Sequence, residues 1–389
     1  MNDFVYYNPV RVHFGRSALE ALAEELAVYG PRVLLAYGGG SIRRTGLYDR
    51  VMAVLTEAGK QVTEFSGILP NPRMEKVYEG ASLCRKEKID LILAVGGGSV
   101  IDCAKAVAIA ACEEEDFWQK FYVNWEEPKA AIPLGTILTI PATGSEMDKD
   151  AVITNPATGE KNSYAHPLLY PQFSILDPTL TYTLPKEQMV NGIVDTMSHI
   201  LELYVSPPDT DCLTDELAEA AMRTEIRAAR TALKDPQDYD ARADLMWTSS
   251  FALCGMLNNG KKTDWAAHCI QHPTSALFDV AHGAGLAVVH PAYLDYICRE
   301  AASRLARMAV QVWQVDPAGK TEEETAREGI CALKKFFREE LGAAASLAEL
   351  GIPKESIPQL VRLTDLSCWS YRELTAGDVQ KILEACYAE

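Results

Sequence analysis

The feature that most constrains the fold is an alternation of short strand-like runs and helical segments in the first half of the chain. Three runs are rich in aliphatic and β-branched residues: RVLLAY (32–37), IDLILAV (89–95) and IPLGTILTI (132–140). The first two are followed by the helical patterns YDRVMAVLTEAG and SVIDCAKAVAIAAC. This alternation is typical of parallel strands joined by crossover helices, so we predict an α/β domain.

The character of the sequence changes near residue 186. Beyond it, Leu, Ala and charged residues recur at spacings of three and four, as in ELAEAAMRTEIRAARTALK and TEEETAREGICALKKFFREELG, which predicts helices. The turn-rich stretch DPTLTYTLPKEQ is expected to join the two parts. We therefore predict an α/β domain at residues 1–185 and an all-α domain at residues 186–389.

Charge and cysteine usage limit the classes of function. The net charge of −17 argues against nucleic-acid or anionic-membrane partners, because both need clustered cations, and leaves small-molecule ligands open. The ten cysteines include no C-x-x-C pair, so we expect reduced, packed thiols rather than a disulfide frame or zinc ribbon. Neither a signal peptide nor an apolar run of about 18 residues is found, which predicts a cytoplasmic protein.

The stretch LILAVGGGSVIDCAKA is the clearest local signal in the first half. Its glycines lie between an apolar strand and an Ala-rich helix, where the backbone could approach a diphosphate and the helix N-terminus could bind it. Tight packing is the alternative explanation. Two more turns, YGGGSIRRTG (37–46) and TIPATGSEMDKD (139–150), also follow predicted strands, so three strand ends could form one nucleotide-binding edge.

Candidate metal ligands lie in the second half. Asp195 and His199 are four residues apart in a helical pattern and so share one helix face. A buried histidine satisfied by a neighbouring aspartate is the alternative. His268 lies in an apolar stretch, and His282 precedes Gly-Ala-Gly, where a turn could direct its ring back toward a helix. One carboxylate and three imidazoles would suit a first-row divalent metal with an open position.

The residue pattern alone does not decide which histidines coordinate. His268 and His272 also have the four-residue spacing, and Pro273 argues only weakly against His272 as a ligand. The remaining three histidines have no partner at a useful spacing and are expected to be structural: His13, His166 and His290.

Taken together, the motifs resemble the iron-containing (group III) alcohol dehydrogenase family, in particular its butanol-dehydrogenase-like branch. The resemblance rests on NPVRVHFG, GGGSVID, TGSE, DPTLTYTLP, the D-x-x-x-H helix and the HGAGLAVVHP region, and it spans nearly the whole chain. It implies a dinucleotide-binding α/β domain followed by an all-α domain, the fold shared with dehydroquinate synthase.

The resemblance also implies a division of the second-half residues. It assigns Asp195, His199, His268 and His282 to the metal, and places His272 beside the substrate as a catalytic residue that relays a proton, with pocket lining as the alternative. The metal is expected to be Fe²⁺, with Zn²⁺ or another first-row metal as alternatives. The implied reaction moves hydride between a nicotinamide cofactor and a small aliphatic alcohol or aldehyde, in a homodimer.

For the cofactor, the resemblance implies a set of contact residues in the first domain: Gly39, Ser41, Asn71, Gly97, Gly98, Ser99, Asp102, Thr139, Thr143, Lys161, Leu180 and Thr183. Some of these have a structural alternative: helix caps for Asp102 and Thr143, packing for Leu180 and a surface charge for Lys161. The chain departs from its relatives at Asp148 and Asp150, which add negative charge near the expected cofactor.

The turn after the first strand predicts the cofactor type. NAD-preferring relatives commonly carry an acidic residue at the position of Gly39, where it would bind the adenosine ribose and repel a 2′-phosphate. Here Gly39 is followed by Ser41, Arg43 and Arg44, which suit an added phosphate. We therefore predict NADP(H) over NAD(H). Two other classes are weighed: a dehydroquinate synthase-like lyase, for which only Lys261 and Lys262 supply nearby cations, and a non-catalytic nucleotide-binding protein.

Overall fold

The computed structural model describes residues 1–114, 116–209 and 211–387. Its contacts divide the chain into two compact units, Tyr7–Pro185 and a unit that combines Met1–Tyr6 with Lys186–Glu389. The change of sequence character near residue 186 therefore coincides with a unit boundary. The first six residues, which we assigned to the α/β domain, instead belong with the helices, and the Asn2 N–H donates to the Gly260 carbonyl at 3.0 Å.

The first unit contains a six-stranded parallel sheet and a two-stranded antiparallel hairpin. Its strands are β1 (Arg11–Phe14), β2 (Arg32–Tyr37), β3 (Gln61–Phe65), β4 (Leu91–Gly97), β5 (Leu134–Ile140), β6 (Asp150–Asn155), β7 (Glu160–Ala165) and β8 (Phe173–Leu176). The sheet has the order β1-β8-β5-β4-β2-β3, and β6 pairs with β7. The predicted parallel sheet is confirmed, with β2, β4 and β5 on the three apolar runs.

Helices of the first unit connect these strands. They are α1 (Leu22–Leu26), α2 (Ser41–Arg44), α3 (Leu47–Glu57), α4 (Met74–Glu87) and α5 (Gly98–Ala110), with short 3₁₀ turns at 18–21, 167–169 and 178–181 and a π-helical turn at 118–123. Strands β2 and β4 are buried along nearly their whole length, which explains their uninterrupted apolar sequences. Helix α5 is buried on nearly all sides because most of its residues are Ala, Val and Ile.

The second unit is helical, as predicted. It contains α6 (Lys186–Tyr204), α7 (Leu213–Lys234), α8 (Tyr239–Leu253), α9 (Ala266–Phe278), α10 (His282–Ile297), α11 (Ala302–Gln311), α12 (Glu322–Lys335), α13 (Ile357–Leu363) and α14 (Ala376–Ala385), a π-helical turn at 336–341 and a 3₁₀ turn at 354–356. Its core is one apolar cluster to which α6 and α10 contribute heavily. None of the helices in the described parts of the chain is long and apolar enough to cross a membrane.

Candidate metal centre and nucleotide-binding loops

Helix α6 supplies the first two candidate ligands. Asp195 and His199 lie one turn apart, both buried, with Asp195 Oδ1 at 3.9 Å from His199 Nε2. Nearly all residues of α6 from Met189 to Tyr204 are buried, and most of them are apolar. This part of the helix therefore packs against neighbouring helices and carries Asp195 and His199 inward with it. The four-residue spacing therefore produces the shared face that the sequence predicted.

Helix α9 brings His268 to the same point. Its Nε2 lies 3.9 Å from Asp195 Oδ1, and its ring stacks on that of His199 with centroids 4.6 Å apart. The helix continues through Pro273 to Phe278, so the proline does not end it. Trp265, just before the helix, packs edge-on against both rings, with its centroid 5.6 Å from that of His268 and 6.2 Å from that of His199.

His282 is the first residue of helix α10, not part of a turn as we expected. Helix α9 ends at Phe278, the following Asp279 has a left-handed backbone (φ 53°) that reverses the chain, and α10 begins three residues after Asp279. This short connection returns His282 to the centre, where its Nε2 is 3.5 Å from Asp195 Oδ1. The start of helix α10 thus directs the His282 ring toward Asp195, the role that we had predicted for a turn.

The donor atoms fit a single cation. Those of Asp195, His268 and His282 lie within 4.8 Å of one another. Two ligand atoms at about 2.1 Å from a tetrahedral ion are separated by about 3.4 Å, close to the distances found here. Asp195 Oδ1 and His268 Nε2 are buried and have no hydrogen-bond partner among the described residues, although burying such atoms unsatisfied is costly. A divalent metal would satisfy both.

Two residues that the sequence analysis missed contact the Nδ1 atoms of His268 and His282, the ring nitrogens that do not face Asp195. The Glu202 carboxylate contacts His268 Nδ1 and also accepts the His268 backbone N–H at 3.1 Å. The Gln271 amide oxygen lies 2.5 Å from His282 Nδ1. Glu202 could have been found from its spacing, because it follows His199 by three residues and Asp195 by seven and so shares their helix face.

The surrounding charges change the protonation of nearby groups. Burial lowers the pKa of His268, but Glu202 and Asp195 outweigh burial and raise it to about 9. Burial, with the Glu202 charge, raises the pKa of Asp264 to about 7. Burial lowers the pKa of His290 to about 3, so this histidine is neutral. A proton on His268 and a metal ion would therefore compete for the negative charge of Glu202 and Asp195.

His272 lies beside the centre and is half-buried. Its ring centroid is 5.5 Å from that of His282 and 6.3 Å from that of His268, but it is not one of the residues whose donor atoms converge with Asp195. This location leaves His272 between the centre and the surface.

The glycine turn after β4 is closely packed against the next predicted turn. A Cβ on Gly98 would lie 2.3 Å from Thr143 Oγ1, and one on Gly97 would lie 3.0 Å from Ile140. Gly97 and Ser99 remain partly exposed at the start of helix α5. The close approach explains why glycine is needed here, and it leaves backbone N–H groups of a 13-residue helix accessible to an anion.

The turn after β2 is more open. A Cβ on Gly39 would meet no atom within 4 Å, and Gly39 and Ser41 are exposed. Arg43 is held in place, because its guanidinium contacts Glu64 at 2.5 Å and lies 3.7 Å above the Tyr48 ring. Arg44 is exposed and has no ion pair among the described residues. The turn therefore offers one available cation rather than the two expected from the sequence.

Other predicted cofactor residues are distributed along the same unit. Asn71, with a left-handed backbone (φ 51°), accepts a hydrogen bond at 3.0 Å from the Lys161 ammonium. Lys161 is therefore bound to another predicted residue rather than being only a surface charge. Leu180 packs against the core of the sheet, as its structural alternative proposed, whereas Thr139 is partly exposed and Thr183 is exposed.

Three aspartates lie in a polar cluster that involves helix α5: the buried Asp102 of the helix, the buried Asp148 and the partly exposed Asp150. Asp102 accepts hydrogen bonds from Ser145 Oγ at 2.6 Å and from the Val152 N–H at 3.1 Å, which commits both oxygens to the fold. It is neither a helix cap nor directed at solvent. Asp148 contacts the fully buried Lys105 at 2.6 Å. Burial raises the pKa of Asp150 to about 7. The added negative charge is thus compensated within the domain.

The expectation that the cysteines are all reduced is wrong for one pair. Cys269 and Cys368 form a disulfide, with Cα atoms 6.7 Å apart and a sequence separation of 99. The other eight cysteines are free. Cys269 directly follows His268, and the segment around Cys368 is also held by a hydrogen bond from the Trp265 N–H to the Trp369 carbonyl. Sequence spacing gave no signal for this pairing.

Sequence comparison matches both units. Residues 9–178 match the family profile described as "Iron-containing alcohol dehydrogenase", and residues 189–387 match "Fe-containing alcohol dehydrogenase family, C-terminal". The chain is 43% identical over 387 residues to the "Probable NADH-dependent butanol dehydrogenase 1" of Bacillus subtilis, covering 99% of this chain and 100% of that protein.

Two further relatives carry different cofactor names. The "NADPH-dependent aldehyde reductase YqhD" of Escherichia coli is 39% identical over 364 residues, covering 93% of this chain and 92% of that protein. The crystal structure of the "NADH-dependent butanol dehydrogenase A" from Thermotoga maritima matches with a TM-score of 0.94 and 40% identity, covering 100% of this chain and 99% of that one. Relatives of both cofactor types thus share this fold.

Proposed function

The chain belongs to the iron-containing alcohol dehydrogenase family, and we propose that it interconverts small aliphatic alcohols and aldehydes of the butanol class with NADP(H) as hydride carrier. It is an oxidoreductase of the alcohol dehydrogenase and aldehyde reductase type and uses a metal and a nicotinamide cofactor. The observation that carries the proposal is the meeting of Asp195, His268 and His282 in one buried centre, next to His199.

Four residues would hold the metal: Asp195, His199, His268 and His282. Three imidazoles and one carboxylate suit several first-row metals, and we propose Fe²⁺ as the native ion, with Zn²⁺ or another first-row metal as alternatives. When bound, the cation supplies a Lewis acid that stabilises negative charge on the substrate oxygen. The chain supports this by fixing its donor atoms on three separate helices, so that little reorganisation accompanies the reaction.

His272 is proposed to carry the proton that the reaction exchanges with solvent. Alcohol oxidation releases a proton from the substrate hydroxyl, and aldehyde reduction takes one up. A half-buried imidazole between the centre and the surface has the right chemistry, since it can accept on one ring nitrogen and donate from the other. Lining of the substrate pocket is the alternative role.

The cofactor contacts are proposed to follow the three turns at the strand ends. Gly97, Gly98 and Ser99 would bind the diphosphate at the start of α5, with Thr139 and Thr143 beside them, and Asn71, Lys161, Leu180 and Thr183 would border the nucleotide. Asp102 would support the turn through Ser145 rather than contact the cofactor. Gly39, Ser41 and Arg44 would accommodate a 2′-phosphate. Arg43 would not contribute, because its guanidinium already forms an ion pair with Glu64.

We further propose a cytoplasmic homodimer. The cytoplasmic location is supported by the cysteines, since eight of the ten are free thiols, as a reducing compartment would keep them. The dimer is supported by an exposed apolar segment at the start of the chain, which consists of Met1, Phe4, Val5, Tyr6 and Tyr7.

Both lysines that were weighed for the lyase alternative already have partners. A sugar-acid phosphate needs free cations near the centre, but the Lys261 ammonium is buried against Asp215 at 2.6 Å. Lys262 lies 3.8 Å above the Trp369 ring, where it makes a cation–π contact. Neither lysine is placed to receive a phosphate group.

Oxidation of NADPH by butanal, followed at 340 nm, tests the proposed reaction. We expect turnover that is lost after chelation and restored by adding Fe²⁺ or Zn²⁺. Turnover that survives complete metal removal would contradict the metal-dependent assignment, and the absence of any aldehyde- or alcohol-dependent turnover in the metal-loaded protein would contradict the reaction itself.

A further inference from the structure

We infer that Glu202 and Gln271 are positioning residues that fix the proton location and the direction of two candidate ligands, His268 and His282, and that the charge of Glu202 makes His268 the stronger donor. The inference rests on the proposed metal site and extends it to groups that do not themselves coordinate. Each imidazole has one buried oxygen acceptor on its Nδ1 and directs its Nε2 toward Asp195.

The hydrogen bonds around Gln271 determine which atom of its side-chain amide faces His282. The Thr274 hydroxyl donates to the Gln271 backbone carbonyl at 2.7 Å, and the Ser275 hydroxyl donates to the Val280 backbone carbonyl at 2.9 Å. Because each hydroxyl has a single hydrogen, both must accept from the Gln271 amide nitrogen, at 3.1 and 2.7 Å. Both hydrogens of the amide nitrogen are therefore donated to these two hydroxyls, and the amide oxygen is the atom that faces His282.

That orientation fixes the tautomer of His282. An amide oxygen can only accept, so the His282 Nδ1, 2.5 Å away, must carry the hydrogen. In the neutral ring, the lone pair then lies on Nε2, the atom closest to Asp195. Gly285 leaves the room for this arrangement, since a Cβ there would lie 2.5 Å from the Gln271 amide nitrogen.

Glu202 acts on His268 in the same way but with a charge. It is buried on helix α6, and one carboxylate oxygen accepts the backbone N–H of His268 at 3.1 Å while the other contacts Nδ1. The two contacts prevent rotation of the carboxylate and join helix α6 to helix α9. An anionic acceptor on Nδ1–H increases the electron density at Nε2 and so strengthens it as a metal ligand, which the neutral amide of Gln271 does less.

Charge balance supports the same role. Asp195 and Glu202 supply two negative charges to a buried centre whose imidazoles are neutral when they coordinate. A divalent cation balances these charges, whereas a Glu202→Gln protein would retain the shape of the side chain but leave a bound cation one charge short of compensation. Loss of such an outer partner commonly weakens metal affinity by about 10–100-fold.

The experiment is a Co²⁺ titration of the full-length, metal-free protein, with affinity measured by chelator competition and the ligand environment by the visible absorption of bound Co²⁺. For Glu202→Gln, we expect affinity about 10–100-fold weaker and a shifted Co²⁺ band, with the helical content of the metal-free protein retained. The matched control is Glu225→Gln, another buried carboxyl of the helical unit, which interacts electrostatically with Asp244 rather than with the candidate ligands. It should leave the affinity and the band unchanged.

A second variant, Gln271→Leu, tests the His282 partner in case Glu202→Gln folds poorly. It should also weaken Co²⁺ binding, but by less than Glu202→Gln. Affinity within twofold of the unaltered protein in both variants, or equal loss in the Glu225 control, would overturn the inference. The proposed reaction fails separately, since unaltered protein that binds Co²⁺ tightly but never converts an alcohol or aldehyde would contradict the function and leave the positioning role standing.

Discussion

A Cβ on Gly283 would lie 2.0 Å from the backbone oxygen of Asn191, so helices α10 and α6 approach each other closely at the residue after His282. The absence of a side chain at Gly283 allows His282 to come within 3.5 Å of Asp195. The obstacle is backbone rather than a flexible side chain, so the helices must separate if the glycine is replaced.

Gly283→Ala should therefore weaken metal binding by moving His282 away from Asp195. We expect a destabilisation of about 1–3 kcal/mol from overpacking, together with reduced metal content measured by elemental analysis. Gly377→Ala in helix α14 is the control, because its added Cβ would be 3.7 Å from the nearest atom, Thr375 Oγ1. Full metal content in Gly283→Ala would show that the close approach does not position His282.

Cofactor choice should depend on residue 39. A carboxylate at this position has room, since no atom lies within 4 Å of the added Cβ and the backbone is outside the left-handed region. We expect unaltered protein to have the higher kcat/KM with NADPH, and Gly39→Asp to shift the ratio toward NADH by about tenfold or more, because the carboxylate would repel the 2′-phosphate.

Steady-state kinetics with both cofactors measure that ratio. Arg44→Ala should raise the KM for NADPH while leaving that for NADH unchanged, which separates phosphate recognition from general nucleotide binding. A higher kcat/KM for NADH in unaltered protein would refute the NADP(H) assignment, although the dehydrogenase activity would stand.

His272→Ala should retain the metal and lose turnover. General acid–base catalysis typically contributes about 10²–10⁴-fold, so we expect kcat to fall by at least about a hundredfold if the proton passes through this imidazole. The pH profile of kcat, compared with that of His272→Gln, is the decisive measurement. An unchanged rate and profile would remove His272 from proton transfer and leave it as a pocket residue.

The Cys269–Cys368 disulfide should stabilise the helical unit. It connects residues separated by 99 positions, and disulfides of this kind typically contribute about 2–4 kcal/mol by limiting the unfolded chain. Reductant should lower the urea midpoint of unaltered protein but not that of Cys368→Ser. The exposed Cys112 gives the control, since Cys112→Ser should keep the sensitivity to reductant. Equal midpoints with and without reductant would contradict a stabilising bond.

The sequence predicted three of the four interior strands of the sheet, β2, β4 and β5, but missed the short interior strand β8 and both edge strands. Strands such as β2 are buried on both faces and therefore carry uninterrupted apolar runs. Edge strands β1 (RVHF) and β3 (QVTEF) mix polar and apolar residues because part of each remains exposed, so their sequences resemble loops. Hairpin β6–β7 was also missed: β7 (EKNSYA) is polar and only partly buried, and the mostly buried β6 (DAVITN) carries polar residues at both ends.

Local spacing also predicted more of the metal centre than did the contacts around it. The i, i+4 rule places Asp195 and His199 together whatever the rest of the chain does. The approach of Gln271 to His282, and that of Cys269 to Cys368, depend on how separate segments pack, which no spacing within one helix reveals. The Arg43–Glu64 pair likewise requires the pairing of β2 with the neighbouring β3.

The most direct test of the metal centre is the metal content of purified, reconstituted protein, measured by elemental analysis for the unaltered chain and for His268→Ala and His282→Ala. We predict about one divalent ion per chain in the unaltered protein, and loss of both the ion and NADPH-linked butanal reduction in each variant while the helical content is retained. One ion per chain in His282→Ala, with its affinity unchanged, would contradict the assignment of the centre.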